Sequence, residues 1–140
     1  MNWERFNNEL RILAEKIDVK PDVIIGIARG GIIPATCLAE HLGIKNMHSI
    51  IVTRVKETRI VEENFQLNVK GKKVLLVEDM IETGRGLKLA KEHLESKGAS
   101  VRTASLYTMP FTEFQPDFQV REIMYVEHFP WEVEEIMVKH

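Results

Sequence analysis

Apolar residues in this chain follow two different periods. At the start, Trp3, Phe6, Leu10, Leu13 and Ile17 recur at steps of three and four, the spacing of one helix face, and Asn2 stands where a capping side chain belongs. The run DVIIGI at 22–27 is short and almost wholly apolar, as a strand buried on both faces should be. Pro34 suits a first helical turn, Leu38 and Leu42 lie one turn apart, and Gly43 is placed to end that helix. SIIVTRV at 49–55, VLLV at 74–77 and VRTASLY at 101–107 predict further strands. Between the last two, Leu87, Ala90 and Leu94 mark a helix closed by Gly98. From Lys56 to Lys73 the chain is mostly polar without a clear period, which predicts a mobile excursion. Strands alternating with helices imply an α/β protein with a mostly parallel central sheet flanked by helices, in a single domain over residues 1–140.

Composition narrows the partners. With 19 Lys and Arg against 21 Asp and Glu, the chain has no bulk charge that would favour nucleic acid or a membrane surface. Arg54, Lys56, Arg59, Lys70, Lys72 and Lys73 read as a lid and a solvated turn rather than a nucleic-acid face. A single cysteine, Cys37, rules out an internal disulfide and suits a reducing compartment, with its side chain expected in the core. No apolar run approaches the roughly 18 residues of a membrane span, and MNWERF lacks the basic-then-apolar order of a signal peptide. These features point to a cytoplasmic protein. The five histidines show no ligand spacing, which argues against zinc.

The chemistry is concentrated in VLLVEDMIETGRGL at 74–87, where a buried run gives way to two carboxylates and then a glycine-rich turn. In parallel sheets ligands gather at the carboxyl ends of strands, and GIARGG at 26–31 delivers unusual residues to the same end. A turn through Glu82, Thr83, Gly84, Arg85 and Gly86 into a helix would converge backbone N–H groups and the helix's positive end, which suits a phosphate. Glu78 and Asp79 could accept hydrogen bonds from hydroxyls or hold a hydrated magnesium ion. A sugar phosphate meets all of these groups. The glycines of GIARGG do not follow the GxGxxG order of a dinucleotide fingerprint.

These motifs resemble the type I phosphoribosyltransferases. VLLVEDMIETGRGL is similar to their signature, GIARGG to their pyrophosphate loop, and YVEHFPWE at 125–132 to the ending of the archaeal and bacterial xanthine-guanine type. The resemblance implies that family's fold with a small C-terminal hood. It also implies transfer of ribose 5-phosphate from phosphoribosyl pyrophosphate to a purine base, with magnesium and release of pyrophosphate, in an enzyme that pairs into homodimers. On this sequence it assigns Glu82 through Gly86 to the 5-phosphate, with Glu82 also the general base, and Glu78 and Asp79 to the ribose hydroxyls and metal. Arg29 and Gly30 take the pyrophosphate after a cis Ala28–Arg29 peptide, and residues 54–65 form a lid. Met109, Tyr125 and Val126 meet the base, while Phe129 and Trp131 pack with Phe111, Phe114 and Phe118.

The chain departs from the family pattern at four places. Glu82 stands for an aspartate, Gly86 for a threonine or serine, and Met109 for the lysine that would donate to a 6-oxopurine carbonyl. Arg54 and Val55 stand near the place of the usual Ser-Tyr pair. The departures keep open a second reading, in which the fold retains a phosphoribosyl pyrophosphate or nucleotide pocket as a non-catalytic sensor.

Overall fold

The computed structural model describes residues 1–63 and 67–133. Its order is α1 (Trp3–Lys16), β1 (Val23–Ala28), α2 (Ile32–Leu42), β2 (Met47–Val55), β3 (Thr58–Glu63), β4 (Lys73–Ile81), α3 (Arg85–Ser96), β5 (Ser100–Thr108) and β6 (Phe118–Glu122). The strands form one sheet in the order β3-β2-β1-β4-β5-β6, parallel throughout except for the β2–β3 hairpin. This mostly parallel sheet flanked by helices is the architecture the resemblance implies.

Side-chain alternation divides the sheet between two cores. On one face Ile24, Leu75, Val77, Ala104 and Leu106 meet Phe6, Leu10 and Leu13 of α1 and Ala35 and Leu38 of α2. On the other, Val23, Ile25, Ile27, Val74 and Leu76 meet Leu87, Ala90 and Leu94 of α3. Both faces of β1 and β4 are therefore dry, which explains why their sequences read as continuous apolar runs. Asn2 caps α1 by accepting from the Arg5 N–H at 2.8 Å, and Gly43 ends α2 with φ +70°, as the sequence predicts. Cys37 is only half-buried, packed against the edge of the first core.

Three elements differ from the sequence reading. The polar excursion contains β3, reached through a two-residue turn in which Lys56 adopts φ 58°. The expected lid at 54–65 is thus a hairpin as far as Glu63, and its residues 64 and 65 lie outside the described residues. β4 does not stop at its carboxylates but runs on to Ile81, because β5 continues to pair with it there. Finally, β6 adds a parallel edge strand within the C-terminal hood.

The C-terminal aromatics cluster in the first core together with Phe118, as expected, but without Phe111 and Phe114. Phe129 stacks on Trp131 with centroids 4.9 Å apart and on Tyr107 at 6.1 Å, while Phe6 meets the Trp131 ring edge-on. Phe111 is exposed and Phe114 belongs to the opposite core. The Tyr107 hydroxyl donates to buried Glu9, which also receives Arg121, so α1 is bound to β5 and β6 by a satisfied polar network. Burial and this carboxylate push the Tyr107 hydroxyl's pKa up.

Candidate functional site

The strand order reverses between β1 and β4. The chain leaves β1 toward β2 on one side and later leaves β4 toward β5 on the other, while α2 and α3 pack on opposite faces. A crevice opens at such a point beyond the strands' carboxyl ends, and both sequence motifs emerge into it.

The first motif turns tightly. After a cis Ala28–Arg29 peptide, the Gly31 N–H donates to the Ile27 carbonyl at 2.8 Å and the Ile32 N–H to Arg29 at 3.2 Å. Gly30 and Gly31 are glycines for want of space. A Cβ on Gly30 would run into the Asp79 carboxylate, and one on Gly31 into the Val77 carbonyl and the Ile27 backbone. The β1 loop therefore lies directly on the acidic end of β4. Arg29 is exposed at its tip.

Glu78 and Asp79 are half-buried rather than solvated. The Asp79 N–H donates to Glu78 Oε1 at 3.0 Å, and the Met80 N–H to Asp79 Oδ1 at 2.6 Å. Burial pushes the Glu78 carboxyl well above the usual carboxylate range, and the Asp79 charge pushes it further. Burial likewise raises Asp79, against hydrogen bonds that favour its charged form. Two crowded acids favour a cation or hydroxyl donors between them. As oxygen donors these two carboxylates would suit a magnesium ion; among the described residues no group of three or more His, Cys, Asp or Glu gathers as a metal cage.

Next along β4, a cleft of about 360 Å3 is lined by Glu78, Met80, Ile81, Glu82, Thr83, Gly84, Gly86 and Leu87. Gly84 caps α3 with φ +85°, a backbone shape that favours glycine, and abuts Phe114. The Arg85 N–H donates to Thr83 Oγ1 at 3.2 Å. The Arg85 side chain does not line this cleft; it forms a forked pair with Glu113, at 2.8 and 3.2 Å, that holds the Glu113 carboxyl below its ordinary value. Gly86 faces open space, since an added Cβ would meet only Val52 at 3.7 Å.

Two cleft residues come from the hairpin, where sequence reasoning saw only a lid. Arg54 on β2 and Arg59 on β3 are directly paired across the ladder and both line the cleft. Opposed like charges weaken a hairpin unless an anion lies between them. Their spacing around a two-residue turn was the available signal, but no glycine marked that turn. The expected base residues are placed apart from this lining. Met109 is buried in the first core, and Tyr125 and Val126 are half-exposed on the C-terminal segment, with the Tyr125 hydroxyl beside Arg5.

Residues 2–138 match the family described as "Phosphoribosyl transferase domain". The chain belongs to this phosphoribosyltransferase family. Its fold superposes on a purine phosphoribosyltransferase from Pyrococcus horikoshii Ot3 with a TM-score of 0.90 and 35% identity, covering 99% of this chain and 97% of that one. A hypoxanthine-guanine phosphoribosyltransferase of Lactococcus lactis is 30% identical over 76% of this chain and 64% of its own length. An orotate phosphoribosyltransferase of Bartonella henselae is 39% identical over 65% of this chain and 47% of its own. The chain thus spans about two thirds of one curated relative and half of the other. Within the family frame, the crevice between β1 and β4 is the candidate active site. No described helix is long and apolar enough to cross a membrane.

Proposed function

We propose that this phosphoribosyltransferase-family chain transfers ribose 5-phosphate from phosphoribosyl pyrophosphate to a purine base. The observation that carries the reading is the contact of Gly30 with Asp79, which joins the Arg29 turn, the paired carboxylates and the start of α3 around one crevice. A ligand with a phosphate at one end, a diol in the middle and a diphosphate at the other has a matching group for each.

In this reading the N–H groups from Glu82 to Gly86 bind the 5-phosphate at the positive end of α3. Glu78 and Asp79 accept from the ribose hydroxyls and hold magnesium through its water. Arg29 and Gly30 bind the diphosphate, assisted by Arg54 and Arg59 from the hairpin. Magnesium, when bound, neutralises charge on the diphosphate. The C1–oxygen bond to the diphosphate breaks, a C1–nitrogen bond to the base forms, and the base N–H proton passes to the Glu82 carboxylate, which is exposed on the cleft wall. Met109, Tyr125 and Val126 remain the proposed base contacts, with segment 54–65 as the lid that excludes water. The same reading makes residues 1–140 one domain of a cytoplasmic homodimer.

The test is turnover of phosphoribosyl pyrophosphate with magnesium and a panel of guanine, hypoxanthine, xanthine, adenine and orotate. Pyrophosphate release with a purine is expected. Tight binding of phosphoribosyl pyrophosphate without release for any base would favour the sensor reading, which the replacements at Glu82, Gly86 and Met109 support.

A further inference from the structure

The phosphate loop is held from behind by one short segment. The Ile81 carbonyl accepts from the Met109 N–H at 2.9 Å and from Thr112 Oγ1 at 3.3 Å. The Glu82 carbonyl accepts from the same Thr112 hydroxyl at 2.7 Å, and the Thr83 carbonyl from the Glu113 N–H at 2.9 Å. Phe114 packs on Gly84, and Glu113 grips the Arg85 guanidinium. Every residue from Ile81 to Arg85 is therefore anchored by residues 109–114, none of which lines the cleft.

Peptide geometry gives this anchoring a chemical meaning. In a trans peptide the carbonyl of one residue points opposite to the N–H of the next. Carbonyls of Ile81, Glu82 and Thr83 turned toward the rear segment leave the N–H groups of Glu82, Thr83 and Gly84 directed to the other side, where the cleft lies. A reversed peptide would present a carbonyl oxygen to an anion, which is repulsive. Among the described residues Thr112 supplies the side-chain donor on this side, its single hydroxyl proton directed to the Glu82 carbonyl at 2.7 Å with the Ile81 carbonyl a weaker, shared acceptor at 3.3 Å.

We propose that Thr112 is a positioning residue, which never touches the ligand but aims the phosphate loop at a sugar 5-phosphate. The inference rests on the proposed function and adds a specific division of labour: Thr112 governs affinity for the 5-phosphate and not for the diphosphate bound near Arg29.

The test compares guanosine 5′-monophosphate and inorganic pyrophosphate, titrated calorimetrically against the wild type, Thr112→Val and Thr112→Ser. Thr112→Val keeps the shape and removes the hydroxyl. It is expected to weaken the monophosphate by about fivefold, the worth of one lost hydrogen bond, and to leave pyrophosphate unchanged. Thr112→Ser restores the monophosphate. Equal monophosphate affinity for wild type and Thr112→Val, or an equal loss for both ligands, overturns the inference. A wild type that binds neither ligand overturns the functional reading and this inference with it. Should Thr112→Val fold poorly, Glu113→Ala probes the same segment at an exposed side chain. A two- to threefold loss on the monophosphate alone is then expected, as for loss of an exposed ion pair, and no loss counts against the segment's role.

Discussion

The two strand-to-helix turns at the switch point do related work with opposite construction. The β1–α2 turn is tight because it is packed from within, its glycines pressed against the Asp79 carboxylate and the Val77 carbonyl. The β4–α3 turn is held from outside, by hydrogen bonds from residues 109–114, and keeps open space at Gly86. The first shape is fixed by volume and the second by polar partners. Sterically fixed turns fail abruptly on substitution, whereas hydrogen-bonded ones can be tuned group by group.

The largest expected effect breaks the first turn. Gly31 has φ −83°, open to any residue, so Gly31→Ala tests space alone. Its Cβ would sit 2.8 Å from the Ile27 carbonyl and closer still to that of Val77, both rigid strand backbone. Overpacking of this kind costs about 3 kcal/mol, read as a lower urea midpoint at unchanged slope. Gly86→Ala, in the first turn of α3 with room around it, should be neutral or stabilising by about 0.5 kcal/mol. Equal losses at the two glycines would remove the contrast.

A smaller effect concerns the acids against which the first turn rests. The Glu78 carboxyl is raised in the folded protein, first by burial and then by Asp79. Below the ordinary carboxylate pKa, near 4.3, Glu78 is protonated folded or unfolded and carries no penalty. As pH rises through the raised folded value, the ionised group must be held beside Asp79, and the stability associated with its protonation is lost. Glu78→Gln should therefore raise the melting temperature of the ligand-free protein at pH 8 and leave it nearly unchanged at pH 4. The same substitution should weaken phosphoribosyl pyrophosphate binding. A variant less stable than the wild type at pH 8 would mean that the pair is stabilising as built.

The contrast between the turns also bears on what could be read from sequence. β1, α2 and α3 were legible because each is buried along a full face or stripe, which writes a period into the chain. β3 was not, since its residues alternate exposed and half-buried on a sheet edge and its turn uses Lys56, where glycine or asparagine is the usual signal. The end of β4 was obscured by its own carboxylates, because Glu78 and Asp79 interrupt the apolar pattern while the ladder to β5 continues beneath them. Residue identities at the crevice were visible, but their neighbours were not. That Arg54 and Arg59 line the cleft beside α3 depends on the hairpin register, and the Thr112 contacts depend on a loop with no motif. Met109 shows the converse difficulty. It stands for a lysine in the family pattern, yet its buried position means Met109→Lys would have to desolvate an ammonium group.

The finest prediction sharpens the second turn without disturbing the first. Gly86 follows Arg85 at the start of α3, and an added Cβ there meets nothing closer than Val52 at 3.7 Å. Gly86→Ser therefore introduces a hydroxyl beside the proposed 5-phosphate position with no steric cost. One further hydrogen bond to a phosphate oxygen is worth about 1 kcal/mol, so guanosine 5′-monophosphate should bind about fivefold more tightly. Inorganic pyrophosphate, held near Arg29, should be unaffected. Calorimetry on the same preparations used for Thr112→Val decides the matter, since the two variants should move monophosphate affinity in opposite directions from one loop. Tighter pyrophosphate with unchanged monophosphate would instead locate the diphosphate at α3 and exchange the roles of the two turns.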